Sequence, residues 1–160
     1  MIIDFVKLVG LQSEAITFVI GSFDLLHTGH LHFLQKAKEV GGGKLLVGII
    51  EDDIITEQKG KDRPIVSQQD RAELVDALKV VDYVFLAPAL SISEVANEVI
   101  RSVHPENAVA SREDYETRKQ DWQTKGTNLI LIDKIPERST TKIVQKITRL
   151  RYTATDGQER

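Results

Sequence analysis

Two histidines a helical turn apart, in the run Gly21-Ser22-Phe23-Asp24-Leu25-Leu26-His27-Thr28-Gly29-His30, are the residues of this chain best suited to chemistry. An imidazole can donate a proton, accept one or hydrogen-bond a developing charge near neutral pH. Gly21 lets the chain turn sharply, and Gly29 lets backbone come close to an anion at a helix N-terminus, where free N–H groups and the helix dipole favour negative charge. His27 and His30 then flank a phosphate-sized site. The competing reading is that each histidine merely caps a helix or sits in solvent. Their pairing around a glycine at a strand-to-helix junction favours the chemical reading. A zinc site is disfavoured, because only His32 and His104 remain and no carboxylate pair has ligand spacing, so no protein-held metal is assigned.

A second anion site is expected at Arg138-Ser139-Thr140-Thr141, where hydroxyls and free backbone N–H groups converge at the start of a helix. Simple capping is the alternative there. Lys59, Lys61 and Arg63 fall in a loop containing Gly60 and Pro64, and are assigned to the phosphate of a second reactant rather than to solvent. Arg71, on a helix starting near Ser67, is assigned to the same phosphate but ranks below the histidines, since an exposed ion pair with Asp70 or Glu73 would also account for it.

These residues need a frame. Short Val-, Ile- and Leu-rich runs at 15–20, 44–50, 82–86, 107–110 and 128–132 read as buried strands. Between them, Leu31, Leu34 and Ala37, then Ala72, Val75 and Leu78, then Val95, Val99, Ile100 and Val103 recur at helical spacing. Ser67, Ser91 or Ser93, and Ser139 or Thr140 offer N-caps, and residues 41–43 are a glycine stop. The alternation predicts an α/β fold, a Rossmann-like doubly wound sheet of five parallel strands. Its ligand cleft belongs beyond the carboxyl ends of the strands, where the two histidines also fall.

Composition narrows the class. At 160 residues, residues 1–152 are expected to form one domain and 153–160 a polar, frayed tail. No apolar run approaches the roughly 18 residues of a membrane span, and the first ten residues lack a secretory pattern, so no membrane partner and a cytoplasmic location are expected. The chain has no cysteine, which removes disulfides and thiolate catalysis. A formal charge of −3 argues against nucleic-acid binding.

On Gly21, Phe23, Asp24, His27, Gly29 and His30, the first motif resembles that of the cytidylyltransferase-like nucleotidyltransferases, whose signature is histidine, any residue, glycine, histidine. The segments Lys59-Gly60-Lys61-Asp62-Arg63-Pro64, Asp70-Arg71 and Val80-Val81-Asp82-Tyr83-Val84 are similar to the middle of glycerol-phosphate cytidylyltransferases and of the adenylyltransferase domain of ADP-heptose synthases. Arg138-Ser139-Thr140-Thr141-Lys142-Ile143 resembles the final motif, and the likeness covers roughly residues 15 to 147. It implies transfer of a nucleotidyl group, AMP first, from a nucleoside triphosphate to a sugar phosphate of the heptose 1-phosphate type. Glycerol 3-phosphate or another polyol phosphate with a cytidylyl donor is the alternative, and a nucleotide-binding module without turnover is the alternative of another class. The likeness also implies Mg2+ carried with the triphosphate, a homodimer, a phosphate-binding Lys38 beside His27 and His30, and nucleotide contacts from Gly21 to Asp24, from Gly29 and from Arg138 to Thr141. Three departures stand out. Ser111-Arg112-Glu113 replaces a glycine-containing stretch and is expected to narrow or redirect the base pocket, while Ile20 and Ser22 replace the asparagine and cysteine usual in heptose enzymes.

Overall fold

Each apolar run forms a strand: β1 (Ile16–Gly21), β2 (Lys44–Ile49), β3 (Tyr83–Leu86), β4 (Asn107–Ser111) and β5 (Asn128–Ile132). They appear in a computed structural model that describes residues 1–117, 121–122, 124, 126–135 and 138–155. All pair in parallel, in the order β3-β2-β1-β4-β5. The central strand shows why its sequence is apolar throughout: Phe18 packs into one core cluster and Val19 into the other, and both are fully buried. A strand covered on both faces has no polar side to show.

The helices are α1 (Thr28–Gly41), α2 (Asp52–Lys59), α3 (Gln68–Asp76), α4 (Ile92–Val103), α5 (Arg112–Thr117) and α6 (Thr140–Thr155), with a 3-10 helix at Phe5–Leu11. Leu34 and Ala37 of α1 and Ala72 and Val75 of α3 lie in one cluster, while α4 and the 3-10 helix lie in the other, so the sheet is doubly wound as expected. Ser67 caps α3, and Ser91 rather than Ser93 caps α4 in a box with Glu94. Gly42, at φ 69°, ends α1. Three helices lie outside the sequence expectation: the 3-10 helix, α2 and α5. α2 buries only Ile55 and α5 buries nothing, so neither carries a periodic apolar stripe. α6 runs to Thr155, which takes the first three residues of the expected tail into a helix; residues 156–160 lie outside the described ones.

The chain builds β1, β2 and β3 toward one edge of the sheet and then returns to add β4 and β5 on the other side of β1. The connections leaving β1 and β4 therefore diverge at their carboxyl ends, and a crevice opens there.

Candidate active site

That crevice is a cleft of about 640 Å³. Gly21, Ser22, Phe23, His27, Gly29 and His30 line it from the β1–α1 connection, and Arg138, Ser139, Thr140 and Thr141 line it from the start of α6. Lys59 and Arg63 reach it from beyond β2. The first and last motifs, 108 residues apart between His30 and Arg138, thus share one wall.

The imidazoles are held by backbone. His27 is the N-cap of α1, and its Nδ1 accepts the Gly29 N–H at 3.0 Å. The His30 Nδ1 accepts the His27 N–H at 3.4 Å, and the rings stack with centroids 3.9 Å apart. An Nδ1 that accepts a backbone hydrogen carries none itself, so each neutral ring bears its proton on Nε2 and is a donor away from the backbone. Burial holds both histidines below their usual pKa; that of His30 falls to about 3, lowered chiefly by desolvation and further by His27 and Lys59. The pair is therefore two neutral N–H donors at neutral pH. Capping and chemistry are not alternatives here, because the same bonds that cap α1 fix the tautomers.

Glycine is required at two points. A Cβ on Gly21 would lie 2.8 Å from the Phe23 ring, which packs edge-on against His30. A Cβ on Gly29 would lie 2.7 Å from the Arg138 carbonyl oxygen and 2.8 Å from His27 Cε1, so Gly29 admits the α6 connection to the motif. Phe23 and Leu25, at φ 48° and 47°, hold left-handed backbone on either side of Asp24. Such strain persists only where surrounding contacts impose it. Here the Thr140 hydroxyl donates to the Asp24 carbonyl at 2.7 Å, tying the two motifs together.

Residues 18–151 match the family model described as cytidylyltransferase-like. The chain belongs to this family of nucleotidyltransferases. It is 35% identical over 145 residues to the bifunctional protein HldE of Helicobacter hepaticus, covering 91% of this chain and 29% of that protein. It is 39% identical over 136 residues to HldE of Wolinella succinogenes, covering 85% of this chain and 27% of the relative. The chain thus spans less than a third of the curated relatives it matches. Among solved structures, the lipopolysaccharide core biosynthesis protein of Thermoplasma volcanium superposes with a TM-score of 0.61 at 25% identity, over 77% of this chain and 99% of that one. Pantothenate synthetase of Thermus thermophilus, at 16% identity and a TM-score of 0.57, shares the fold.

Within this member of the family, four expected site residues lie elsewhere than the sequence suggested. Lys38 is eight residues beyond His30, about 12 Å along α1 at 1.5 Å per residue, and its ammonium pairs with Asp82, just before β3. That is the amino edge of the sheet, opposite the cleft. Arg71 is fully buried rather than exposed: its guanidinium donates to the carbonyls of Ser22, Ile50 and Val66 and pairs with Asp52, not Asp70 or Glu73. It binds together the ends of β1 and β2 and is not part of the cleft lining. Asp24 is 1% exposed, and its carboxylate accepts from Arg63 Nε at 2.8 Å and from the Ile65 and Val66 N–H groups. Its task is to hold the connection after α2. Lys61 is exposed in a turn outside the cleft lining, whereas Lys59 ends α2 and donates to the Ser22 hydroxyl at 3.1 Å.

The cleft also gathers residues that motif reading passed over. Lys134 follows β5 and pairs with Asp114 at 2.8 Å; both line the cleft. Their position past a strand's carboxyl end was the available signal. His32 lies under Arg138, whose Nη1 is 3.2 Å and 3.4 Å from its two ring nitrogens. Near-equal distances place the guanidinium over the ring face rather than in its plane. In the unusual 111–113 segment, Ser111 lines the cleft and accepts the Asp114 N–H, while Arg112 turns to Asp133 and does not enter it. Of the three side chains expected to narrow or redirect the base pocket, Ser111 lines the cleft and Arg112 and Glu113 do not.

Proposed function

We propose that the chain transfers a nucleotidyl group, AMP in the first instance, from a nucleoside triphosphate to a sugar phosphate of the heptose 1-phosphate type. The observation that carries this is the pair of neutral, Nε2-protonated imidazoles beside the N-termini of α1 and α6 in one cleft. An oxygen of the acceptor phosphate attacks Pα, the bond from Pα to the bridging oxygen of Pβ breaks, and pyrophosphate leaves. The nucleophile is already ionised, so no general base is needed. His27 and His30 donate to the oxygens of Pα as negative charge grows there. Ser139, Thr140, Thr141 and Arg138 hold the β- and γ-phosphates, and Lys59 and Arg63 receive the acceptor phosphate.

The similarity to HldE proteins and to a lipopolysaccharide core biosynthesis protein supports the sugar phosphate over a polyol phosphate. Among the described residues no group of three or more His, Asp or Glu side chains is placed to hold a metal ion. Asp114 and Asp133 are engaged by Lys134 and Arg112. Magnesium fits this site as an ion carried by triphosphate oxygens and water, where it neutralises phosphate charge. The same resemblance supports a homodimer in the cytoplasm; α6 exposes Ile147 and Leu150, and no helix among the described residues is long and apolar enough to cross a membrane.

Pyrophosphate release decides the reading. ATP with heptose 1-phosphate is expected to turn over faster than any other pair among ATP, CTP, heptose 1-phosphate and glycerol 3-phosphate. Preference for CTP with glycerol 3-phosphate would replace the donor and acceptor assignment. Tight triphosphate binding with no pyrophosphate from any pair would make the chain a binding module.

A further inference from the structure

α6 carries a repeated doublet. Lys142-Ile143, Lys146-Ile147 and Arg149-Leu150 recur at intervals of four and then three residues, so the helix sets a file of basic residues beside a file of apolar ones. Ile143 is half-buried, but Ile147 and Leu150 are 59% and 61% exposed. Lys142, Lys146 and Arg149 are exposed as well. Among the described residues, neither core cluster contains a member of α6. A helix of 16 residues is marginal in water on propensity alone and depends on the packing of its apolar face. At Ile147 and Leu150 that face is open to solvent.

Charge and width select what covers it. The residues after the helix, Asp156-Gly157-Gln158-Glu159-Arg160, include no apolar side chain to lay on the stripe. The α6 of a second copy has the apolar file but the wrong charge: residues 140–155 hold four basic residues and no acidic one, so two copies side by side in either direction bring like charges together. A lipid surface answers the charge, but interfacial helices bury a broad face rich in Trp, Phe and Leu. Beyond Val144 this file is one side chain wide and wholly aliphatic. Apolar spacing of four and three is instead the seam of a two-stranded coiled coil, in which the flanking charges choose the partner.

We propose that α6 is a docking surface for an acidic amphipathic helix of another polypeptide, which seats apolar side chains on Ile147 and Leu150 and sets carboxylates against Lys142, Lys146 and Arg149. Apolar contact supplies the affinity and the charges supply the selection. A homodimer of the kind proposed above then uses another face. The inference does not depend on the nucleotidyl-transfer reading.

A synthetic peptide of about three heptads, with leucine at the two seam positions and glutamate at the flanking ones, serves as the probe, and its twin carries lysine in place of glutamate. By fluorescence anisotropy the wild-type protein is expected to bind the glutamate peptide at least about tenfold more tightly than the lysine peptide, with a preference that shrinks as salt rises. Ile147→Asp should weaken the glutamate peptide about tenfold or more. Lys146→Glu combined with Arg149→Glu should reverse the preference between the two peptides. Equal affinity for both peptides, or binding to neither, overturns the proposal, as does wild-type affinity in Ile147→Asp. Binding to phosphatidylglycerol vesicles in preference to the glutamate peptide would make α6 a lipid-surface helix. A wild-type dimer that Ile147→Asp turns into a monomer would make the stripe the chain's own interface. Either of these results also overturns the proposal.

Discussion

Arg63 lies against Asp24, with Nε 2.8 Å from a carboxylate oxygen that is itself almost wholly buried, so a cation that lines the cleft is held by an anion outside its lining. Desolvation alone would raise the Asp24 pKa, but the Ile65 and Val66 N–H groups and Arg63 outweigh it and hold it below the usual carboxylate value. A carboxylate with a lowered folded pKa stabilises the fold above its unfolded pKa of about 3.9, and that contribution is lost as pH falls through the folded value. Asp24→Asn should cost about 3 kcal/mol near neutral pH, because it leaves Arg63 unpaired. Thermal melts should show the gap between variant and wild type closing as the pH drops below about 4. A gap constant down to pH 2 would mean that Asp24 is not ionised in the fold.

His30 gives a second acid dependence of different range. Its folded pKa of about 3 lies below the ordinary 6.5, so the unfolded chain binds the extra proton between those values and stability falls as the pH falls through that window. In His30→Gln this loss should be absent between pH 6.5 and 4. An unchanged pH profile of unfolding would show that His30 titrates normally.

His27→Ala and His30→Ala should each lower turnover about a hundredfold or more while triphosphate affinity changes far less, since the donors act most strongly as charge develops on Pα. Single-turnover rates and equilibrium binding together separate the two effects. Near wild-type turnover in both would reduce the pair to helix caps.

Gly29→Ala places a methyl group against the Arg138 carbonyl and the His27 ring. Relief requires the connection into α6 to move, so a stability loss of about 1–3 kcal/mol should accompany weaker triphosphate binding. Calorimetric titration of the folded variant with an ATP analogue checks this; unchanged affinity would separate Gly29 from the phosphate site.

Lys38→Met tests the corrected placement. With its partner Asp82 at the far edge of the sheet, the variant should keep kcat and both KM values within about twofold and lose at most about 1 kcal/mol of stability, as partly exposed ion pairs do. A large fall in kcat would return Lys38 to the chemistry.

The sequence discloses its strands well because they run apolar on both faces, and a stretch such as Ile16 to Ile20 suits a buried strand far better than a loop or a half-exposed helix. It also places the histidine pair and the Arg138 to Thr141 run on one cleft, since both follow from strand-helix alternation and a single sheet edge. Lys38 and Arg71 show the limit. Both are cations near recognised motifs, but whether such a side chain points to ligand or to protein depends on helix phase and on partners such as Asp82, Asp52 and the Ser22 carbonyl, which are remote in sequence. Trp122 is invisible for the opposite reason: an isolated aromatic residue outside any periodic stripe gives no hint that it packs against Phe18 and Tyr115 in the cleft wall.

The start of α6 and the residues just before it meet the cleft through the Thr140 hydroxyl on the Asp24 carbonyl and the Arg138 guanidinium over His32, whereas Ile147 and Leu150, about two turns into the helix, remain exposed. A segment docked at one end opens at lower free energy than the sheet it leans on, so its amides should exchange with deuterium well before those of β1. A triphosphate seated on Ser139 to Thr141, as proposed above, would grip that same docked end. Occupancy of the cleft would then work as a latch on the helix, and the slowing of exchange along α6 would become a gauge of how much of the binding energy goes into closing it.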